Sequence, residues 1–339
     1  MSRYARQVLL PQIGPAGQER LGRAHVLIVG CGALGCHAAD QLARAGVGRI
    51  SIADRDLVEL SNLQRQTLFD ESDIGQAKAQ AAAKRLCRVN SQITIVPLVL
   101  DVWAANVEHV LESVDLILDG TDNVQTRYLL NDAAVKCGQP WIHAACVGTE
   151  GRVMVVSPDG ACLRCVFPDP PPAASLPTCD TAGIMQPAAA AVASLQVAQA
   201  IKLLTGNWTA AEQQLWRLDV WSGRVSTIHL ADAKNADCPC CGRREFNFLQ
   251  SPGDSAIALC GRDTVQIRPA RAWSGDELQR ALAKLKQAGE LKTNGAFSRC
   301  TLYDPGHITI TCFTDGRLLV HGTSDTGRAK SLVARYIGA

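Results

Sequence analysis

His25-Val26-Leu27-Ile28-Val29-Gly30-Cys31-Gly32-Ala33-Leu34-Gly35 sets the architecture of this chain. The continuous apolar run predicts a parallel strand covered on both faces. The G-x-G-x-x-G after it predicts a tight turn into a helix from about Ala33 to Ala45. Gly30, Gly32 and Gly35 let the backbone approach a phosphate, and the helix N-terminus attracts one. Arg49 to Ala53 reads as a second strand, ending at Asp54, where an acid accepts from ribose hydroxyls. Strand, loop, helix and acid together mark a nucleotide site. Alone, they do not choose NAD over ATP.

Outward from this unit, strand-like and helix-like segments alternate. Residues 74–90 read as helix, 93–100 as strand, 104–112 as helix and 114–118 as strand. Residues 126–137 read as helix and 140–146 as strand. This order predicts an open, doubly wound, mostly parallel Rossmann-like α/β sheet. Residues 153–157 open a second set of strands, read as antiparallel. Residues 168–177, with five prolines, predict a long loop or crossover. Helix follows over 186–204, then strands over 214–220 and 224–229. From about residue 250 the pattern changes to a small α/β unit: strands at 265–268, 308–313 and 317–321, helices at 275–288 and 325–336. Asp315-Gly316 marks a hairpin.

The 339 residues are 47% hydrophobic and 19% charged, with a formal net charge of +2. Such a chain can bury a core, so disorder is excluded as the main state. The charge balance gives no bulk basicity for nucleic acid or a membrane surface, and neither is an expected partner. The start lacks the apolar core of a secretory signal, so the expected location is the cytoplasm. The Ala-rich run 187–204 carries Gln196, Gln199 and Lys202 and reads as a packed helix, not a membrane span.

A second group of residues chooses between nucleotides. Asp54-Arg55-Asp56 leads into Ser61-Asn62-Leu63-Gln64-Arg65-Gln66, then Gly75-Gln76-Ala77-Lys78, then Asp119-Gly120-Thr121-Asp122-Asn123 with Arg127. A hydride site does not need so many charges. A site that moves a nucleotidyl group does, because an attacking carboxylate and a polyphosphate repel each other. Arg and Lys must neutralise that charge, and an acid must hold Mg²⁺. Any one of these charges alone would read as a solvated surface group. Their shared place near the C-terminal ends of successive strands weakens that reading.

With Arg3-Tyr4-x-Arg6-Gln7, these motifs resemble the ubiquitin-activating-enzyme superfamily over about residues 2–245. The chain is most similar to its bacterial sulfur-carrier adenylyltransferases of ThiF and MoeB type. The resemblance implies that ATP adenylates the C-terminal Gly-Gly carboxylate of a small ubiquitin-like carrier, activating it for sulfur transfer. It implies Asp54 on the ATP ribose, and Asn62, Arg65, Gln66 and Lys78 on the phosphates. Asp122 would bind Mg²⁺, and Arg6 would reach into the partner's site, which implies a homodimer. A cysteine desulfurase is a candidate sulfur donor. Residues 1–249 would form the adenylyltransferase domain and 250–339 a small C-terminal α/β domain of unknown role. A Rossmann oxidoreductase using NAD(P) is allowed by the glycine loop and Asp54 but leaves the Arg/Lys/Asp set unexplained. A scaffold that only binds a carrier is opposed by the intact Arg6, Arg65, Lys78 and Asp122.

Fourteen cysteines in a chain of this size and no export signal point to metal and thiol chemistry. Cys162-x-x-Cys165 and Cys238-x-x-Cys241 form two CxxC pairs with 72 residues between them. Four thiolates suit structural zinc and leave no open position for catalysis. Cys240 is a rival to Cys241, at a less usual spacing. The resemblance assigns zinc to the same four positions. Cys179, just past the proline-rich stretch, is a candidate nucleophile or persulfide partner; a buried inert thiol is the competing reading. In thiazole-type relatives the matching cysteine joins covalently to the carrier, whereas in molybdopterin-type relatives it is dispensable. The C-terminal unit resembles an extension on some thiazole-type enzymes, so a ThiS-like carrier is favoured over a MoaD-like one. His143 reads as packed or on the surface, and not as a ligand. Trp208, Trp216 and Trp221 read as core anchors.

Overall fold

The His25–Val29 run is the third strand of an eight-stranded sheet, ordered β3-β2-β1-β4-β5-β6-β7-β8. Its strands are β1 His25–Val29, β2 Arg49–Ala53, β3 Thr94–Leu98, β4 Leu116–Asp119, β5 Trp141–Val147, β6 Glu150–Val156, β7 Gln214–Asp219 and β8 Arg224–His229. β1 to β5 pair in parallel, and β6 to β8 continue the same sheet antiparallel. The direction of chain progress reverses between β1 and β4, which opens a crevice at their C-terminal ends. The computed structural model describes residues 3–171, 179–211, 214–250, 256–258, 263–269, 271 and 273–338; of Cys179 and Asp180 it describes only the backbone.

Local sequence explains the elements beside that crevice. The helix Ala33–Ala45 starts at the glycine loop and stops at Gly46, which takes the left-handed conformation at φ 85°. The helix Val124–Cys137 is capped by the Asn123 side chain, which accepts from the Gln125 and Thr126 amides, and it ends at Gly138 with φ 68°. Two apolar layers cover the sheet. One joins Ile142, Ala144, Val153 and Val155 to the helices Ala33–Ala45 and Gln186–Leu204. The other joins Trp141, Met154, Val156 and Leu215 to Val124–Cys137 and to Cys162, Cys238 and Cys240.

The helix Gln186–Leu204 is long and apolar enough to cross a membrane, by length and composition only. Its contacts are those of a core helix. Buried Gln196 donates from Nε2 to the Asp119 and Ile142 carbonyls, both at 2.9 Å.

The chain divides into two units, Met1–Ser251 and Pro252–Ala339. The second contains a six-stranded sheet of order β11-β12-β13-β14-β10-β9, with every pair antiparallel. Its strands are β9 Ala256–Ala258, β10 Thr264–Ile267, β11 Gly289–Asn294, β12 Phe297–Leu302, β13 Thr309–Phe313 and β14 Leu318–His321. The helices Gly275–Ala288 and Thr326–Tyr336 close one apolar core with it.

Several expectations need correction. The helix expected over 74–90 begins at Lys78, because Gly75 sits at φ 84° and Ala77 bridges to Leu57. The helix at 104–112 shrinks to Val107–Val110. Trp208 is 47% and Trp221 78% exposed, so neither anchors a core; both lie outside strands, next to turns. Trp216 does pack against the first layer. The hairpin of β11 and β12 escaped the sequence reading because its strands mix Lys292, Thr293, Asn294 and Ser298 with few apolar residues. Part of the 168–177 stretch and all of 251–254 lie outside the described residues.

Replacing Gln196 by Leu leaves two buried carbonyls without donors. Urea denaturation should show a loss of about 1–3 kcal/mol, and an unchanged midpoint would contradict this role.

Candidate active site and metal cluster

The glycine loop is built by close backbone approach. Gly30 has φ 90°, and a Cβ there would meet the Gly120 carbonyl oxygen at 2.7 Å. A Cβ on Gly35 would meet the Gly30 oxygen at 1.9 Å. Only glycines let β1, the following helix and the end of β4 converge. Asp54, buried at the end of β2, accepts from the Cys31 amide at 2.6 Å and the Asp56 amide at 2.7 Å. Burial pushes its carboxyl upward, while Lys78 and these two amides oppose that.

Lys78 is buried at the start of its helix, with Nζ 3.3 Å from Asp56. The Val58 amide donates to the Gln76 carbonyl, the Gly75 amide to the Val58 carbonyl and the Lys78 amide to the Asp56 carbonyl, so the segment after β2 clamps the start of that helix. Arg55 reaches Asp101 at 3.3 Å. Burial alone would lower its pKa, but Asp101, Asp56 and Asp122 raise it. Asn62 lies buried in the 3₁₀ turn Leu60–Asn62, closed by a reciprocal bond with Glu59. Gln66 is buried, and its Oε1 has no hydrogen-bond partner among the described residues. Half-buried Arg65 donates to the Ser61 carbonyl at 2.8 Å. Asp122 is exposed after β4, with no hydrogen bond or ion pair among the described residues. The structure thus gathers Gly30, Asp54 and Lys78 around one crevice, with Asp122 acting on Arg55 across it. Arg6 is not drawn to this group: it stands exposed on the first turn, Ala5–Val8. The Cys179 side chain lies outside the described residues.

A buried knot fixes the loop that carries Asp122. Asp119 accepts from the Thr121 amide (2.9 Å) and hydroxyl (2.7 Å), from Arg127 Nε (3.0 Å) and from His143 Nδ1 (2.9 Å). Burial pushes the Asp119 carboxyl up, but Arg127, His143 and Thr121 bring it down to about 2. Burial pushes His143 down to about 4 despite its bond to Asp119. The pair is therefore carboxylate and neutral imidazole near neutrality, with the ring proton on Nδ1. His143, read as packed or on the surface, is packed; its bond to Asp119 was not read. The only signal in the sequence was a lone histidine in the apolar strand 140–146; register alone places it level with Asp119 on β4.

The Cys162, Cys165, Cys238 and Cys241 sulfurs all lie within 4.8 Å of one another. Contacting pairs are 4.0 Å (Cys162–Cys165), 3.6 Å (Cys162–Cys238) and 3.3 Å (Cys165–Cys241). Tetrahedral zinc, with Zn–S about 2.3 Å, needs sulfurs about 3.8 Å apart, so the cluster fits the ion. Cys240 is not one of these four: it lies against Cys162 and accepts from Asn131 Nδ2 at 3.2 Å.

This fold and crevice define a doubly wound nucleotide-binding protein of the α/β class. The chain belongs to the ThiF family, whose model matches residues 4–240. It is 43% identical to a Bacillus subtilis "Sulfur carrier protein ThiS adenylyltransferase" over 99% of both chains. It is 40% identical to a Thermus thermophilus "Sulfur carrier protein adenylyltransferase", covering 71% of this chain and 91% of that one. It is 36% identical to Xenopus laevis "Adenylyltransferase and sulfurtransferase MOCS3" over 81% of this chain and 60% of that protein. Among solved structures, Escherichia coli MccB with MccA-N7isoASN shares the fold, with a TM-score of 0.63 at 23% identity over 71% of this chain and 75% of that one.

Two outcomes follow. An unfolded histidine takes a proton near pH 6.5, while native His143 resists until about 4, so protonation favours unfolding. Stability should fall by up to about 3 kcal/mol between pH 7 and 4, at about 1.4 kcal/mol per pKa unit. Urea titrations of wild type and His143→Gln check this: the variant should show a shallower slope, and equal slopes would refute it. Elemental analysis should find zinc in the full chain. Cys238→Ser should lose it and lower Tm by about 10 °C, at about 3 °C per kcal/mol.

Proposed function

We propose that this chain is an ATP-dependent adenylyltransferase acting on the C-terminal Gly-Gly carboxylate of a small ubiquitin-like sulfur carrier. The carrier is ThiS-like, and the pathway is thiamine thiazole synthesis. One observation carries this reading: the Bacillus relative named for that reaction matches end to end, C-terminal unit included. The Thermus and MOCS3 relatives leave a MoaD-like carrier as the alternative, on a shorter part of the chain.

In this reading, ATP lies in the β1–β4 crevice. Asp54 receives the ribose, and Asn62, Arg65, Gln66 and Lys78 hold the phosphates. The carrier carboxylate attacks the α-phosphate in line, and pyrophosphate leaves. No general base is needed, because the nucleophile is already an anion. Cations do the work: Lys78 exchanges Asp56 for phosphate, and Arg65, joined by Arg6 from a second copy, neutralises the leaving group. Mg²⁺ suits Asp122, an exposed carboxylate that can share the ion with substrate phosphates, and when bound it supplies charge neutralisation. Cys179 follows as the thiol that meets the activated carrier, with a cysteine desulfurase as sulfur donor. Zinc on the four-cysteine cluster holds the fold.

ATP–pyrophosphate exchange tests the reading. Wild type should exchange only when ATP and a Gly-Gly-ending carrier are both present. Lys78→Met should cut kcat/KM by about 10²-fold or more. Asp122→Asn should abolish exchange while still binding the carrier. Carrier-independent turnover of NADH would overturn the assignment.

A further inference from the structure

The glycine loop carries two thiols that nucleotide binding does not use. Cys31 fills the first variable place of the G-x-G-x-x-G, and Cys36 follows its last glycine. The turn into the helix Ala33–Ala45 folds one onto the other, with the Cys36 amide donating to the Gly32 carbonyl at 3.0 Å. Their sulfurs touch at 3.8 Å, and Cys36 Sγ donates to the Cys31 carbonyl at 3.4 Å. Both side chains are shut from solvent. Neither belongs to the four-cysteine cluster, so the zinc reading does not account for the pair.

A disulfide needs sulfurs about 2.0 Å apart, so this pair has to close by roughly 1.8 Å. The backbone around it has no slack. The Gly30 amide donates to the Ala53 carbonyl at 2.8 Å, the Cys31 amide to the Asp54 carboxylate at 2.6 Å, and Gly35 lies so close that a Cβ there would meet the Gly30 oxygen at 1.9 Å. Drawing Cys31 toward the helix therefore pulls its amide off Asp54, the acid read as receiving the ribose, and moves the loop read as receiving phosphate. In the closed loop the thiols are guarded. The hydrogen bond with Cys36, then burial, then the charge of Asp54 push the Cys31 thiol up, so it stays protonated and unreactive. A nucleotide seated on the loop holds it closed, so oxidation selects the empty protein.

We propose that Cys31 and Cys36 are a redox-sensitive dithiol: a small peroxide joins them in a disulfide that shuts the nucleotide site until a small thiol reduces it. One sulfur attacks a peroxide oxygen, the O–O bond breaks, and a sulfenic acid and water form. The other sulfur then forms the S–S bond and displaces the sulfenic oxygen as a second water. Two electrons pass from the sulfurs to the peroxide, and both thiol protons end in the waters. Two equivalents of a small thiol reverse the step by exchange and leave as their own disulfide. The proposal rests on the reading above that this loop receives ATP, and adds control of that site by the state of two thiols.

The test treats the full-length protein with hydrogen peroxide and reads ATP binding by calorimetry beside peptide mapping. Mapping should find Cys31 and Cys36 linked, in a peptide lighter by two hydrogens. ATP affinity should fall by at least about tenfold, the equivalent of one lost charge-assisted hydrogen bond, and dithiothreitol should restore it. Saturating ATP and Mg²⁺, added first, should slow formation of the link. Cys36→Ala, with Cys36→Ser beside it, should bind ATP like reduced wild type and keep that affinity under peroxide. No link in wild type, a link with unchanged affinity, a link formed equally fast with ATP bound, or variants that lose affinity as wild type does would each overturn the proposal. Reduced wild type separates the two readings: if it binds no ATP, both fall, and if it binds ATP while any of those results appears, only the dithiol assignment falls.

Discussion

The glycine loop and the end of β4 pass so closely that no side chain fits between them. A Cβ on Gly120 would lie 2.3 Å from the Gly30 oxygen, which a Cβ on Gly35 would approach more closely still. That backbone contact brings the Asp122 loop alongside the N-terminus of the helix Ala33–Ala45. Everything around the crevice follows from it. Asp54 tethers the loop from the β2 side through the Cys31 amide. Asp119 tethers the other side through Thr121, Arg127 and His143. From below, Gln196 ties the backbone of β4 to that of β5. The chain spends its buried polar groups on holding two loops still, which is what a site that positions reactants requires.

Charge is distributed by the same logic. Lys78 and Arg55 are each held by an acid, so their orientation is already set; in the proposed reaction Lys78 would meet the polyphosphate without having to be ordered first. The four-cysteine cluster lies elsewhere in the fold. It joins the segment after β6 to the turn after β8, closing the antiparallel extension of the sheet.

Much of this was legible in the sequence because it rests on local rules. The β1 run, the glycine loop and the helix Gln186–Leu204 announce themselves by pattern. The CxxC pairs announce themselves by spacing, and the structure selects Cys241 over Cys240, as the ordinary spacing indicated. What stayed hidden depends on register between distant strands. Nothing local to His143 says that it meets Asp119, and nothing local to Arg152 says that it faces Arg217. Residues 150–152 were also left out of the strand reading, although Arg152, Met154 and Val156 alternate onto one face. Exposed Trp208 and Trp221 show the converse, since hydrophobicity alone does not place a residue inside.

The most direct measurement is intact-mass spectrometry of a Gly-Gly-ending carrier after brief incubation with this protein, ATP and Mg²⁺. The account predicts a carrier heavier by one adenylyl group, formed at its C-terminal glycine and absent when ATP is withheld. A carrier of unchanged mass, under conditions where the protein binds both ATP and carrier, would contradict it.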